Sequence, residues 1–211
     1  MTFDDALASC GLVAILRGVT VGEAVAVGEA LFSAGIRILE VPLNSPDPFA
    51  SIAALAKSAN GRFLVGAGTV LKPEQVELLH AAQGTLSVSP DCNPEVISRA
   101  VKLGLIPLPG VFTPTEAFAA IRAGATTLKL FPAEAASPLV LKAWRAVLPG
   151  TVRVLPVGGA SAGNMRDWLE AGAAGFGIGS SLYKPGDAAA DVNAKATTLV
   201  AAWVKAKALA A

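Results

Sequence analysis

The chain carries one histidine, His80, and two cysteines, Cys10 and Cys92, among 211 residues. That scarcity excludes several chemistries. A Ser-His-Asp triad could be built only on His80, which stands in "EQVELLHAAQ", a helical pattern that puts it on a surface or flank. One histidine and two distant cysteines supply neither a zinc-ligand set nor a redox spacing. The cysteines read as free thiols, packed or partly exposed, in a reducing cytoplasm. Charge is also scarce: charged residues are 16% of the chain and the net charge is +1. No basic footprint for nucleic acid is visible. No apolar run reaches the roughly 18 residues of a membrane helix. The opening "MTFDDALASC" is acidic and lacks the apolar segment of a secretory signal. Chemistry must rest on other side chains.

Apolar residues are plentiful, at 53%, which rules out a disordered chain. The length suits a single domain over 1–211. Eight β-branched, apolar runs recur: "VAILRGV" (13–19), "ILEVPLN" (38–44), "FLVGAGTV" (63–70), "TLSVSP" (85–90), "LIPLPGV" (105–111), "TLKLFPAE" (127–134), "RVLPVGG" (153–159) and "GFGIGSSL" (175–182). Such runs fit strands buried on both faces. Between them lie helical segments with start and stop signals. "TVGEAVAVGEALFSAG" opens on Thr20 as N-cap and ends at Gly35; "KPEQVELLHAAQG" has Pro73 near its first position and ends at Gly84. "NPEVISRAVKLG", "TPTEAFAAIRAG", "SPLVLKAWRAVLPG" and "SAGNMRDWLEAG" repeat the form, and the alanine-rich tail makes a last helix. Residues 3–10 predict a short extra helix that plugs the bottom of the fold. Strict alternation implies a parallel sheet, and eight units imply an α/β fold of the (β/α)8 TIM-barrel type with a capping helix. A doubly wound open sheet is the alternative.

In such a barrel, chemistry gathers at the C-terminal strand ends. Alternation along "TLKLFP" puts Leu128 and Leu130 on one face and Lys129 on the other. The leucines suit the helix side, so Lys129 points inward. By the same logic Leu39 and Val41 face the helices and Glu40 points inward. Arg17, Glu40 and Lys129 are nearly all the ionisable residues of the strand runs, and each lies near a C-terminal end. A desolvated lysine loses its proton more readily and attacks carbonyls to form a Schiff base. A nearby carboxylate can move protons at the adjacent carbons. The pair points to aldol or retro-aldol chemistry on an α-keto acid or ketose. A buried ion pair that only holds the strands together is the structural alternative.

"VGGAS" and "GIGSS" supply backbone N–H groups free of side-chain bulk in the loops where this barrel type often binds phosphate, with helix N-termini aimed at it. Tight turns alone would also use such glycines. Arg17 and Thr69 suit a small carboxylate, through a planar fork and a hydroxyl beside open backbone.

The segments "AILRG", "GIRILEVPLNSP", "VGAGTVL", "VSPDCNPEV", "IPLPGVFTPTEAF", "AGATTLKLFPAE", "VGGAS" and "GIGSSLY" occur in order over nearly the whole chain. With them the sequence resembles the bacterial class I aldolases that cleave 2-keto-3-deoxy-6-phospho sugar acids. "LEVPLNSP" and Val157 before the glycine pair are similar to the galactonate branch; the gluconate branch usually has "LEVTLRT" and a threonine. The resemblance implies Lys129 as Schiff-base former and Glu40 as general acid and base. It implies Arg17 and Thr69 at the pyruvate-end carboxylate, with Gly158, Gly159, Gly179 and Ser180 at the phosphate. Val157 becomes the epimer-sensing position, because a threonine there can bond a C4 hydroxyl and valine cannot. The gluconate enzyme, or one serving both epimers, is the near alternative. A phosphosugar isomerase or synthase and a non-catalytic phosphosugar-binding protein are more distant ones. The resemblance further implies a homotrimer with no metal and no organic cofactor. It implies a phosphorylated keto-deoxy sugar acid and pyruvate as small-molecule partners, with no nucleic acid or membrane.

Overall fold

A computed structural model describes residues 1–210. Strands and helices alternate through it. They run α1 (Phe3–Ser9), β1 (Leu12–Ile15), α2 (Val21–Ser33), β2 (Ile38–Pro42), α3 (Pro48–Ala59), β3 (Leu64–Gly68), α4 (Pro73–Ala81) and β4 (Leu86–Val88). Then come α5 (Pro94–Lys102), β5 (Ile106–Leu108), β6 (Gly110–Val111), α6 (Pro114–Arg122) and β7 (Thr127–Leu130). A 3₁₀ turn (Ala133–Ala135), α7 (Pro138–Arg145), β8 (Arg153–Pro156), α8 (Met165–Glu170), β9 (Phe176–Ile178) and α9 (Ala189–Ala210) complete the order.

The helix starts rest on local chemistry. At α2 the Glu23 carboxylate accepts from the Thr20 N–H at 3.1 Å and its hydroxyl at 2.7 Å. At α6 the Glu116 carboxylate accepts from the Thr113 N–H at 2.8 Å while Thr113 Oγ1 takes the Glu116 N–H at 3.3 Å. Helix α3 is absent from the helices read from the sequence, although Asp47-Pro48 and Asn60 are recognisable terminus signals. Its cap, Asp47, sits at φ 40 without a side-chain cap bond, and Asn60 takes the left-handed position at its end (φ 43).

All strand pairs are parallel. They form a six-stranded sheet, ordered β5-β4-β3-β2-β1-β9 and curled into a half-barrel, and a three-stranded sheet, β6-β7-β8. The single continuous eight-stranded ladder expected from the sequence is not formed; the parallel strands divide into two sheets. Pro109 alone separates β5 from β6, and proline has no N–H to donate to a ladder. Its carbonyl still accepts from the Lys129 N–H at 2.9 Å. On the other side, Val157 follows β8 and meets Gly177 of β9 through a single isolated bridge. The observed strands are shorter than the apolar runs, because Gly and Pro carry each run into the loop beyond. "FPAE" leaves the strand for the 3₁₀ turn.

Two cores result. Leu39, Val41, Leu128 and Leu130 pack outward against the helices, as alternation requires. Ile38, Leu64, Leu86, Val88, Leu108 and Leu155 form an inner core, joined by Phe3, Ala6 and Leu7 of α1. Helix α1 therefore covers the end of the sheets away from the strand C-termini, with Asp4 reaching Arg153 at 2.8 Å. Phe3→Ala should lower stability by about 2–4 kcal/mol by opening a cavity there. Arg153→Ala, which breaks an exposed pair, should cost under about 1 kcal/mol. Urea unfolding of the two variants checks the contrast; equal losses would mean α1 is held by charge and not by packing.

Candidate active site

Strand register sets the centre of the site. Lys129 on β7 pairs with Gly110 and Leu155, and Glu40 on β2 pairs with Ile15 and Gly66. Both side chains point inward and are buried, Glu40 to 3% exposure and Lys129 to 8%. Gly68 of β3 makes room for the carboxylate: a Cβ there would overlap the Glu40 oxygens. Apolar side chains of Val13, Leu108 and Leu155 lie beneath, around a void of about 10 Å³. That is room for one water at most, so the floor is close to dry.

The electrostatics follow from that burial. Desolvation pushes the Glu40 carboxyl up to about 7, against the downward pull of the Lys129 and Arg17 charges. Desolvation likewise lowers the Lys129 ammonium, Glu40 opposes this, and Arg17 adds to it. Glu40 Oε2 is buried with no hydrogen-bond partner among the described residues. Among those residues the ion pairs are surface contacts such as Arg62–Glu29, and none joins Lys129 to Glu40. Lys129 Nζ instead lies 4.4 Å from the centre of the Phe131 ring. A structural ion pair would be closed; this one is open, which speaks against the purely structural alternative.

Above the floor opens a cleft of about 750 Å³. It brings together every residue singled out from the sequence: Arg17, Glu40, Thr69, Lys129, Val157, Gly158, Gly159, Gly179 and Ser180 all line it. Arg17 is exposed and donates from Nη1 to Asn44 Oδ1 at 2.7 Å, while the Gly18 N–H donates to Ser45 Oγ at 2.9 Å. These bonds tie the loop after β1 to the loop after β2. Thr69 takes a left-handed backbone (φ 60), a strained conformation for a β-branched residue.

Gly158 (φ 103) and Gly159 (φ 68) turn the chain sharply after Val157. Asn164 braces this turn, accepting from the Ser161 N–H and donating to the Gly159 carbonyl, both at 2.9 Å. The expected helix ends contribute little here. Helix α8 has only six residues, and the Gly179 loop runs through a turn before α9 begins at Ala189. Any anion would be held by the N–H groups of the turns and by serine hydroxyls.

Three participants were not singled out from the sequence. Asn44 stands where the gluconate branch has its arginine, and that substitution was its signal. Asn44 acts through Arg17, whereas Glu134 and Lys184 line the cleft themselves. Glu134 was hidden in a strand-like run, and Lys184 lay beyond the last one, so the cleft has a spare lysine the sequence reading did not count.

Residues 3–198 match the family model described as KDPG and KHG aldolase. The chain belongs to that aldolase family. It is therefore a carbon–carbon lyase, and the isomerase and non-catalytic alternatives fall away. A relative from Rhizobium meliloti (strain 1021), named probable 2-dehydro-3-deoxy-6-phosphogalactonate aldolase, is 50% identical over 192 residues, 91% of each chain. A solved structure described as native KDPGal is 45% identical with a TM-score of 0.88, covering 94% of this chain and 95% of the other. A cube-shaped cage designed by fusing symmetric oligomeric domains is 44% identical with a TM-score of 0.93, over 95% of this chain and 74% of that one.

Because burial holds Glu40 neutral up to about 7, it weakens the fold at higher pH. The unfolded chain releases this proton near the ordinary value of 4.5, so stability attributable to the group falls from there to about 7 and then levels. Glu40→Gln removes that term. Its stability relative to wild type should rise by on the order of 2–3 kcal/mol across the same window. Denaturant midpoints from pH 4.5 to 8 test it; a constant difference would mean the carboxyl titrates normally.

Proposed function

We propose that this aldolase cleaves 2-dehydro-3-deoxy-6-phospho-D-galactonate to pyruvate and D-glyceraldehyde 3-phosphate through a Schiff base on Lys129. One observation carries the reading: a buried lysine and a buried glutamate share one cleft floor without closing an ion pair. The neutral amine attacks the C2 carbonyl, and Glu40, through a water, helps expel hydroxide as water from the carbinolamine. The C4 hydroxyl then gives its proton to Glu40. The C3–C4 bond breaks, its electrons pass to the iminium, and the aldehyde leaves. The enamine is protonated at C3 and hydrolysed to pyruvate, freeing the amine. A carboxyl balanced near 7 can both take and return protons at neutral pH.

Arg17 and Thr69 hold the pyruvate-end carboxylate in this reading, and Gly158, Gly159, Gly179 and Ser180 hold the phosphate. Val157 favours the galactonate epimer by offering no bond to the C4 hydroxyl. The family's name also covers gluconate-type substrates, which keeps an enzyme serving both epimers as the second reading. The remaining elements are a (β/α)8 barrel closed across the Pro109 and Val157–Gly177 seams, one domain over 1–211, and a cytoplasmic location suited to two free cysteines. No described helix is long and apolar enough to cross a membrane. A homotrimer completes the proposal. It is supported by the oligomeric cage relative and by exposed Leu139 (76%) and Phe112 (41%), which a monomer would leave in water.

Borohydride with pyruvate should trap an adduct on Lys129, seen by mass spectrometry. Lys129→Ala should lose at least about a thousandfold in turnover; near wild-type activity would sink the mechanism. Val157→Thr should shift the galactonate-to-gluconate ratio of kcat/KM toward gluconate by up to about tenfold, the worth of one neutral hydrogen bond. Side-by-side pyruvate release from the two phosphates reads this, and an unmoved ratio removes Val157 as the epimer sensor.

A further inference from the structure

We propose that Glu134 is a specificity-determining residue that accepts a hydrogen bond from the non-reacting hydroxyl of the aldehyde half of the substrate. The proposal rests on the aldolase reading above and deepens it.

Glu134 lies in the 3₁₀ turn that follows β7, five positions past Lys129. The turn is fastened to the end of the neighbouring strand β8, because the Ala133 N–H donates to the Val157 carbonyl at 2.9 Å. The Glu134 carboxylate lies across the glycine turn: a Cβ at Gly158 would overlap it, and one at Gly159 would press on Glu134 Cβ at 3.2 Å. The glycine pair thus leaves space for this side chain as well as for a turn. The carboxylate is exposed on the cleft wall and makes no ion pair with a described residue. Glu40 and Glu134 are the two carboxylates of the cleft. One sits on its dry floor, the other on the cleft wall against the glycine turn.

An ionised carboxylate only accepts hydrogen bonds. Its ligand must offer a donor, which excludes the phosphate and the carboxylate of the substrate. The pyruvate half has no hydroxyl. The C4 hydroxyl surrenders its proton in the reaction. That leaves the hydroxyl at C5, which becomes C2 of glyceraldehyde 3-phosphate. The neighbouring wall at Val157 is apolar and offers it nothing. Glu134 would also repel a phosphate that entered too deep, so the aldehyde half is held with its phosphate outward.

The test uses the full-length enzyme in the synthetic direction. Pyruvate is condensed with D-glyceraldehyde 3-phosphate or with 3-phosphonooxypropanal, which lacks only the hydroxyl. Glu134→Ala should lower kcat/KM for the hydroxylated aldehyde roughly ten- to hundredfold, as for loss of a bond to a charged group. The deoxy aldehyde should change less than about threefold. Glu134→Gln keeps an acceptor and should fall between, which preserves the test if the alanine variant folds poorly. Borohydride trapping of pyruvate on Lys129 should be unchanged in both variants. Absence of trapping in the wild type would count against the aldolase mechanism instead. Equal losses for the two aldehydes overturn the proposal. So does a gain for both, which would show a carboxylate that merely repels phosphate.

Discussion

Two ionisable side chains share one nearly dry floor and do not close an ion pair. That constraint organises the rest of the structure. Water is kept out by an inner core of leucines and isoleucines and by α1 beneath it. The desolvation that follows holds a lysine short of its usual basicity and a glutamate short of its usual acidity. Neither state would persist near the surface, where solvent would restore both charges. The strand ladder supplies rigidity, so two groups far apart in sequence meet reproducibly.

Glycine does the complementary work at the rim. At Gly68 it lets a carboxylate lie flat against a neighbouring strand, and at Gly158 it both turns the chain and leaves room for Glu134. The loops are then tied by side-chain bonds rather than by regular structure: Arg17 to Asn44, Gly18 to Ser45, and Asn164 across the turn after β8. The cleft is therefore built from fixed strand ends and braced loops.

Much of this was legible in the residues. Inward Lys129 and Glu40 followed from alternation against Leu128, Leu130, Leu39 and Val41, because buried strands obey a strict period. The helix start at Thr20 followed from a cap residue with a glutamate three positions on. Helix α3 was passed over although Asp47-Pro48 and Asn60 mark its ends in the sequence. The break at Pro109 escaped because pairing between strands depends on tertiary register. Glu134 and Lys184 escaped for a related reason. Their part in the cleft depends on which loop folds over which strand end, and no local pattern records that.

The two seams between the sheets differ in kind. At Pro109 the chain itself bridges them, whereas between β8 and β9 a single backbone bridge at Val157 and Gly177 does so. Few hydrogen bonds cross there, so local opening is cheapest along that line. That line runs along the cleft wall at Val157 and Gly177. Breathing of the wall would widen the cleft without disturbing the β2–β3 ladder around Glu40. Opening along that joint would leave the proton-carrying half of the fold still.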